Sequence, residues 1–530
     1  MRPSRGTLRA VAAGFIAACV GVGVAELVGG IVTSAGSPVV AVGGFVIDNV
    51  PPGAKDFAIE TFGTNDKLAL IVGTLMILAL LGVGLGVLAR RRSQLAASVV
   101  VAVSLVGVFA TLDQMNLSPL LAVWPSLVGA AAAVATIVAL RPTVGPPVAR
   151  VATTDEDEDV KASRPAHLDR PSDDMPPRRR FLVASGTAVV LAGATAGAGR
   201  FLQGRNSAAA SRDALVLPDP VRRLPPISDA VAPDPRGVAP FTTPNSSFYR
   251  IDTNLTVPQV KTDGYSLTVK GMVDKRLDIA WEDLIERDLN EYDITLTCVS
   301  NQIGDTLVGN ARWLGFPIKE LLDEAGVKDG ADQIVGRSTD DYTGGFPLEA
   351  AYDRNAIVAV GMNGEALPLS HGFPVRLVTP GIYGYLSAIK WLTEIEITTF
   401  DAFDSYWVPR GYAEKAPIRT MSRIDTPRSL AKVRAGTVML GGVAYAQTRG
   451  IDAVEVRIDD GEWQRAELSK PLNKDTWRQW TLALDATDAG LHTIMVRATD
   501  GDGETQVEER TEPLPDGATG WHTIRVTVES

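Results

Sequence analysis

The sequence is poor in the residues that bind metals and form disulfides. Two cysteines and four histidines occur among 530 residues. That excludes a disulfide scaffold, an all-cysteine zinc site and an iron–sulfur cluster. Positive charge is also in deficit: 51 Lys and Arg stand against 62 Asp and Glu, a net charge of −11, which argues against nucleic acid as a partner. No internal repeat is found, and no Gly-x-Gly-x-x-Gly follows a strand-like run in the second half. A Rossmann nicotinamide or flavin site is therefore not expected.

Apolar side chains are abundant. They make up 45% of the chain, and the mean hydropathy is +0.09. A largely disordered chain is excluded, and the length allows three to four units of ~150 residues. Hydrophobicity is concentrated before residue 200. Helical spans are expected at 10–33, 68–89, 95–112, 119–140 and 181–199, each near the ~20 residues that cross a bilayer core. The run from Val39 to Ile47, between Pro38 and Pro51, is too short to span and reads as an interfacial or re-entrant loop. Arg2, Arg5, Arg9, Arg90, Arg91, Arg92, Arg141, Arg150 and Arg178–Arg180 fall on one side of these spans. The other side carries Asp48, Asp56, Glu60, Asp66 and Asp113. The positive-inside rule puts the N-terminus in the cytoplasm of a multi-pass cell-membrane protein, and five spans place everything after residue 200 on the outer face. Glu26 lies inside the first span, either as a functional group or near the outer interface. Cys19 reads as a small buried residue. No span contains histidine, so the bundle cannot hold a bis-histidine haem.

The fifth span opens Arg178-Arg179-Arg180-Phe181-Leu182 and resembles a twin-arginine export signal, although Pro177 and Val183 depart from that pattern. An ordinary positively flanked helix is the alternative. Ala208, Ala209 and Ala210 offer a cleavage site, but an uncleaved anchor is expected. The chain therefore divides into a four-helix transmembrane region (1–140), a disordered cytoplasmic loop (141–180) with the acidic run Asp155–Asp159, the fifth helix (181–199) and a proline-rich tether (200–240). An α+β domain (241–415) and an all-β sandwich (424–530) follow. In the former, strand-like runs at 265–269, 294–296, 333–336, 356–360 and 375–378 alternate with helices at 281–287 and 318–325. In the latter, strands are expected at 454–458, 477–484, 493–499 and 521–528. The turn Asp500-Gly501-Asp502-Gly503 reads as a plain hairpin turn and not as a calcium loop.

Cys298 is the one cysteine after residue 200. By itself it could be buried and inert, a nucleophile, or a soft ligand to a metal carried by a cofactor. A nucleophile would need a base, and His371, His492 and His522 carry no sign of pairing with it.

The sequence around it resembles the sulfite oxidase family of molybdopterin enzymes. The resemblance rests on Thr297-Cys298-Val299-Ser300-Asn301, Asn310-Ala311-Arg312-Trp313-Leu314-Gly315, His371-Gly372-Phe373-Pro374-Val375-Arg376, Pro380-Gly381-Ile382-Tyr383-Gly384 and Lys390-Trp391-Leu392, with Asn245-Ser246-Ser247-Phe248-Tyr249-Arg250 upstream. It implies that Cys298 is the thiolate ligand to molybdenum, the remaining sulfurs coming from a single pyranopterin. It also implies cofactor contacts at Asn245, Tyr249, Arg250, Ser338, His371, Arg376, Ala388, Ile389 and Lys390. Arg250 could instead line the substrate pocket. Tyr412, in Trp407-Val408-Pro409-Arg410-Gly411-Tyr412, would donate a proton near the metal. Two departures stand out. Gln302 and Ile303 replace the arginines that follow the cysteine unit, and Arg250-Ile251-Asp252 replaces an Arg-Asn-His triplet, so a sulfite-like dianion should bind more weakly. No haem domain is present, so the electron partner would be a separate cytochrome or quinone. The C-terminal domain resembles the family's immunoglobulin-like dimerisation domain, which implies a homodimer. The expected function is oxygen-atom transfer to or from a small, sulfur-containing substrate. The alternatives are an S-oxide (methionine sulfoxide-type) reductase with the same cofactor and a non-catalytic surface binding protein.

Overall fold

The computed structural model describes residues 5–32, 37–49, 66–114, 119–144, 177–205, 207–254 and 256–529. Most of the loop expected at 141–180 lies outside these residues. Contacts divide the chain into two compact units, residues 1–207 with 254–256, and residues 208–253 with 257–530.

The first unit is helical: α1 Arg5–Val32, α2 Pro38–Asn49, α3 Asp66–Arg91, α4 Ser93–Gln114, α5 Pro119–Val144 and α6 Pro177–Arg205. Among the described residues, five helices are long and apolar enough to cross a membrane, at Gly6–Val32, Ala69–Arg90, Gln94–Leu112, Val123–Leu140 and Phe181–Leu202. The segment expected to be a loop at 39–47 is instead helix α2. Glu26 explains why this short helix holds. Its carboxylate accepts hydrogen bonds from Ser37 Oγ (2.5 Å) and from the Val39 amide (3.4 Å), which satisfies donors at the helix N-terminus. Cys19, expected to be buried, lies exposed on α1, because the packed stripe of that helix is made of other small residues.

Helix α1 is the hub of this unit. Glycines let α3, α5 and α6 approach it closely, as small residues do in apolar bundles. A Cβ at Gly82 would lie 2.6 Å from Ala18 Cβ, one at Gly129 2.6 Å from the Gly21 carbonyl, and one at Gly199 2.7 Å from the Glu26 carbonyl.

The second unit begins at α7 (Ala209–Asp213). The segment expected as a tether begins in helix, at the end of α6 and in α7, and from residue 215 to 240 it has no helix and is bound to this unit along its length. Arg212 Nε donates to Leu367 O (2.9 Å), the Val221 amide to Leu289 O (2.8 Å), and the Ala239 amide to Asp425 Oδ2 (2.9 Å). Its prolines keep the chain extended, and side chains of the folded unit supply partners for the carbonyls left over, as when Arg312 Nη1 donates to Pro225 O (3.1 Å).

Two sheets follow. Their elements are β1 Ser266–Gly271, β2 Leu277–Ala280, α8 Trp281–Ile285, β3 Asn290–Thr297, β4 Val308–Pro317, α9 Ile318–Ala325, β5 Gln333–Ser338, β6 Thr343–Pro347, α10 Glu349–Asp353, β7 Ile357–Met362, β8 Glu365–Ala366, β9 Arg376–Val378, α11 Gly384–Ser387 and β10 Leu392–Thr398. One sheet runs β2-β1-β10-β5-β6. The other runs β3-β4-β7-β8, with β9 also on β7. This is the α+β arrangement expected from the irregular alternation of short runs. In α9, Ile318, Leu321, Leu322 and Ala325 repeat at helical spacing and are all buried.

The C-terminal strands are β11 Met421–Thr426, β12 Lys432–Arg434, β13 Gly436–Tyr445, β14 Ile451–Ile458, β15 Gln464–Arg465, β16 Glu467–Leu468, β17 Arg478–Ala486, β18 Gly490–Asp500 and β19 His522–Glu529. They form the sheets β11-β13-β17-β16 and β12-β19-β18-β14-β15. Leu440, Ala444 and Trp480 of the first share a core with Val454, Val456, Ile494, Val496 and Val526 of the second. The expected hairpin turn after β18 is closed by Asp500, whose Oδ1 accepts from the Asp502 (3.1 Å) and Glu504 (3.0 Å) amides.

Replacing Gly82 by leucine should separate α3 from α1 and lower the thermal midpoint of the detergent-solubilised protein, by about 1–3 kcal/mol of stability. Gly84, two residues on, has no atom within 4 Å of its would-be Cβ. Gly84→Leu should leave the midpoint close to the parent value, and differential scanning calorimetry of the pair is the check.

Candidate active site

Strand β3 is the edge of its sheet, so its outer backbone groups need partners from elsewhere. The C-terminal sheets and their loops supply them. The Thr295 amide donates to Asp475 O (2.9 Å), and Gln447 Nε2 donates to Thr295 O and Thr297 Oγ1 (3.0 Å each). The Trp477 amide donates to Thr295 Oγ1 (2.9 Å). Cys298 follows directly, at the end of this strand.

The loop that begins at Cys298 is closed on itself and on the C-terminal sheets. The Cys298 amide donates to Leu307 O (3.0 Å) and the Asn301 amide to Cys298 O (3.1 Å). Asn301 Oδ1 accepts from the Leu307 amide (2.8 Å), and its Nδ2 donates to the Tyr445 hydroxyl (2.8 Å). Arg423 Nη1 donates to Asp305 O (2.7 Å). Gly304 has φ +85°, and any side chain there would meet the His522 ring.

Cys298 is a free thiol and only 7% exposed. Burial pushes its pKa up, with hydrogen bonds from Ser300 and the charge of Lys390 opposing. A thiol held protonated in this way is a poor nucleophile. None of the three candidate histidines serves it as a base. His371 Nε2 donates to Asn245 O (3.0 Å), His522 Nδ1 accepts from the Ile424 amide (2.9 Å), and His492 bonds Asp459 (2.7 Å) and Asp488 O (2.8 Å).

Of the residues expected from the sequence, Lys390 acts on the thiol by its charge and the thiol acts on Tyr249. Arg376 is 4% exposed. Its donors reach His371 O (3.0 Å), Ala388 O (3.3 Å) and Leu377 O (3.4 Å), and its guanidinium lies 5.0 Å from the centre of the Trp313 ring. Burial lowers its pKa to about 10. Lys390, lowered to about 8 by burial with Asp252 opposing, donates to Ile251 O (2.8 Å) and Asp252 Oδ2 (3.1 Å). Burial, then the charge of Arg376, lowers His371 to about 4. It is therefore neutral near pH 7, and Phe248 packs edge-on against it at 5.6 Å. Tyr249 stacks on Phe248 at 5.3 Å, and a Cβ on Gly384 would lie 3.7 Å from its hydroxyl. Ser338 is buried at the end of β5, beside Asp340.

Three expected residues are placed differently. The Asn245 amide is committed to Glu365 Oε1 (2.6 Å), Met362 O (3.2 Å) and Asn363 (2.8 Å), so only its backbone carbonyl faces the site, through His371. Ile389 sends its side chain into the core and its carbonyl to the Leu377 amide (2.9 Å). Tyr412 packs on Tyr385 and Trp407, at 5.5 and 5.3 Å between ring centres. The tyrosines whose ionisation a charged Cys298 opposes are Tyr249, Tyr342 and Tyr383.

Sequence reasoning missed Tyr342 and Asp340 and underused Asp252. Tyr342 donates to Tyr385 O (2.7 Å), and burial holds its pKa well above the ordinary value. Its signal was the Tyr342-Thr343-Gly344-Gly345 run that opens β6. The glycines are needed there because a Cβ on Gly344 would come within 2.8 Å of the Tyr385 and Leu386 carbonyls.

Residues 254–407 match the family described as oxidoreductase molybdopterin binding domain. The chain is 28% identical over 290 residues to the mitochondrial sulfite oxidase of Rattus norvegicus, covering 46% of this chain and 53% of that protein. It is 28% identical over 319 residues to an NADH nitrate reductase of Solanum lycopersicum, covering 48% and 35%. The chain thus spans about half the length of the mammalian relative it matches. Among solved structures, the sulfane dehydrogenase SoxCD of Paracoccus pantotrophus aligns with a TM-score of 0.48 and 22% identity, covering 55% of this chain and 84% of that one.

Two predictions follow from the geometry. Tyr445→Phe leaves the Asn301 amide without its acceptor, at a cost of about 1–3 kcal/mol. It should also loosen the loop, so that a thiol reagent labels Cys298 faster in the folded variant than in the parent. The second concerns pH. The folded pKa of His371 and of His522 is about 4, below the ordinary 6.5. Between these values the unfolded chain binds protons that the folded chain does not, so stability should fall as pH drops from 6.5 to 4 and should not depend on these groups above 6.5. For His371 the effect is up to roughly 3 kcal/mol, and His371→Gln should flatten the thermal midpoint over that window.

Proposed function

With residues 254–407 a molybdopterin-binding oxidoreductase domain of sulfite oxidase type, we propose that the chain is a membrane-anchored enzyme that transfers an oxygen atom to or from a small, sulfur-containing substrate. The observation that carries this reading is Arg376. It is a buried guanidinium whose hydrogen-bond partners are all carbonyl oxygens, with no carboxylate among the described residues. A buried charge without a counter-ion costs several kcal/mol, and a phosphate group offers the counter-ion that the protein omits. The raised thiol of Cys298 fits the same cofactor, because a soft metal deprotonates a thiol that its surroundings otherwise keep neutral.

In this reading Cys298 holds molybdenum, and Arg376, Lys390 and His371 hold the phosphate and ring of a single pterin. When bound, the metal centre supplies two-electron chemistry coupled to oxygen transfer. The protein does the rest. His371 donates through Nε2 to the Asn245 carbonyl, which leaves Nδ1 as an acceptor. Tyr342, kept protonated by burial, commits its hydroxyl proton to the Tyr385 carbonyl, so the proton-donating role stays with Tyr412. Arg250, beside Lys390, lies on the substrate side. The C-terminal sheets, read as an immunoglobulin-like domain that also pairs two protomers, keep the Cys298 loop in place.

Arginine placement supports a cytoplasmic N-terminus, with the catalytic unit on the outer face of the cell membrane. The twin-arginine-like α6 acts as an uncleaved anchor, supported by its close glycine contacts with α1. Electrons pass to or from a separate cytochrome or quinone. Reduction of an S-oxide is the second reading, favoured by Gln302 and Ile303 where cations would bind an oxyanion.

Protein purified from its own membranes should contain molybdenum and pterin near one per chain. Cys298→Ser should lose the metal or change its spectrum, with activity falling by at least about a hundredfold, a loss of about 2.7 kcal/mol in transition-state stabilisation. A folded parent without metal or pterin would select the binding-protein alternative.

A further inference from the structure

The cation expected to meet the substrate is already held by an acid. Arg250 Nε donates to Asp252 Oδ2 at 2.6 Å, and its Nη2 lies 3.4 Å from Asp252 Oδ1. The same Oδ2 accepts from Lys390 Nζ at 3.1 Å. The Asp252 side chain is 3% exposed, Lys390 13% and Arg250 34%. Asp252 is thus a buried carboxylate bridging two cations, of which Arg250 alone opens toward solvent.

The charges around Cys298 can be counted. Lys390 and Asp305 are the charges that act on Cys298 itself; Arg250, Arg376 and Asp252 lie beside Lys390, Asp340 also feels Lys390, and His371 is neutral near pH 7. Gln302 and Ile303 of the cysteine loop add no charge. Once Arg376 and Lys390 are assigned to the cofactor's phosphate and ring, Arg250 is left for the substrate, and Asp252 offsets it. Asp252 thereby cancels most of the attraction that Arg250 alone would offer an entering dianion. An uncharged S=O group does not depend on that attraction and can still accept a hydrogen bond from an Arg250 donor that Asp252 leaves open.

We infer that Asp252 is the residue that sets the charge class of the substrate, selecting uncharged sulfur compounds of the sulfoxide and thioether type and rejecting oxyanions. This rests on the molybdopterin reading of the site, but the selectivity belongs to the protein's own side chains and can be measured without turnover.

The test compares the full-length, detergent-solubilised protein with Asp252→Asn and the conservative Asp252→Glu. Sulfate, an unreactive dianion, is titrated into each by calorimetry. The Asn variant should bind it about tenfold or more tightly than the parent, and the Glu variant should behave like the parent. In dye-linked assays the ratio of dimethyl sulfoxide turnover to sulfite turnover should fall in the Asn variant. Equal sulfate affinity in parent and Asn variant overturns the inference, whatever the metal content. Tightened sulfate binding in a protein that holds no molybdenum overturns the functional reading and leaves the charge role standing. If the Asn variant does not fold, competition on the parent decides: sulfate displacing dimethyl sulfoxide at comparable concentration overturns the inference.

Discussion

The site depends on how one edge strand is completed. Strand β3 ends at the residue before Cys298, and an edge strand left to water would leave that residue poorly defined. Asp475, Gln447 and Trp477 occupy the open edge, while Tyr445 and Arg423 fasten the loop beyond it. The thiol therefore sits on backbone fixed from two sides, one in each half of the folded unit. Rigid placement of this kind would suit the metal-ligand role proposed for Cys298, since a single bond to a metal cannot also restrain the loop that carries it.

Around that fixed point the electrostatics are arranged by burial more than by pairing. Arg376 and Lys390 lose basicity on entering the interior, and His371 loses its charge altogether near neutral pH. Carbonyls take the place of carboxylates around Arg376. Such a cluster is unfavourable when alone and favourable when an anion arrives, which is the usual logic of a preformed phosphate pocket. Asp252 breaks this pattern at one edge, and there the pocket turns from attracting anions to tolerating neutral molecules.

Much of this was legible in the sequence. The five spans stood out by length and composition, and the strand-like runs at 294–296, 333–336 and 375–378 lie within β3, β5 and β9. Cys298, Arg376, His371 and Lys390 were singled out because each sits in one of several motifs that follow in order along the chain. What was hidden depended on contacts across the fold. Helix α2 was read as a loop because its capping carboxylate, Glu26, belongs to another helix. The proline-rich stretch looked like a free tether because the acceptors and donors that bind it lie far along the chain, at Leu367 and Asp425. Tyr412 was singled out by its motif alone, and the fold packs its ring on Tyr385 and Trp407. A local pattern records which residues are kept together, and it does not record which way a ring faces once the sheets close.

The completed edge of β3 also bears on the order in which the molecule can be made. The bond from Trp477 to Thr295 joins residues 182 positions apart, and that from Gln447 to Thr295 joins residues 152 apart. Chains emerge from the ribosome N-terminus first, and contacts this distant in sequence form late. While residues 298 to 307 are being synthesised, none of their C-terminal supports yet exists. The pocket is therefore finished only after residues 445–477 have been made, and any cofactor must be received after that point, not while the cysteine loop is emerging.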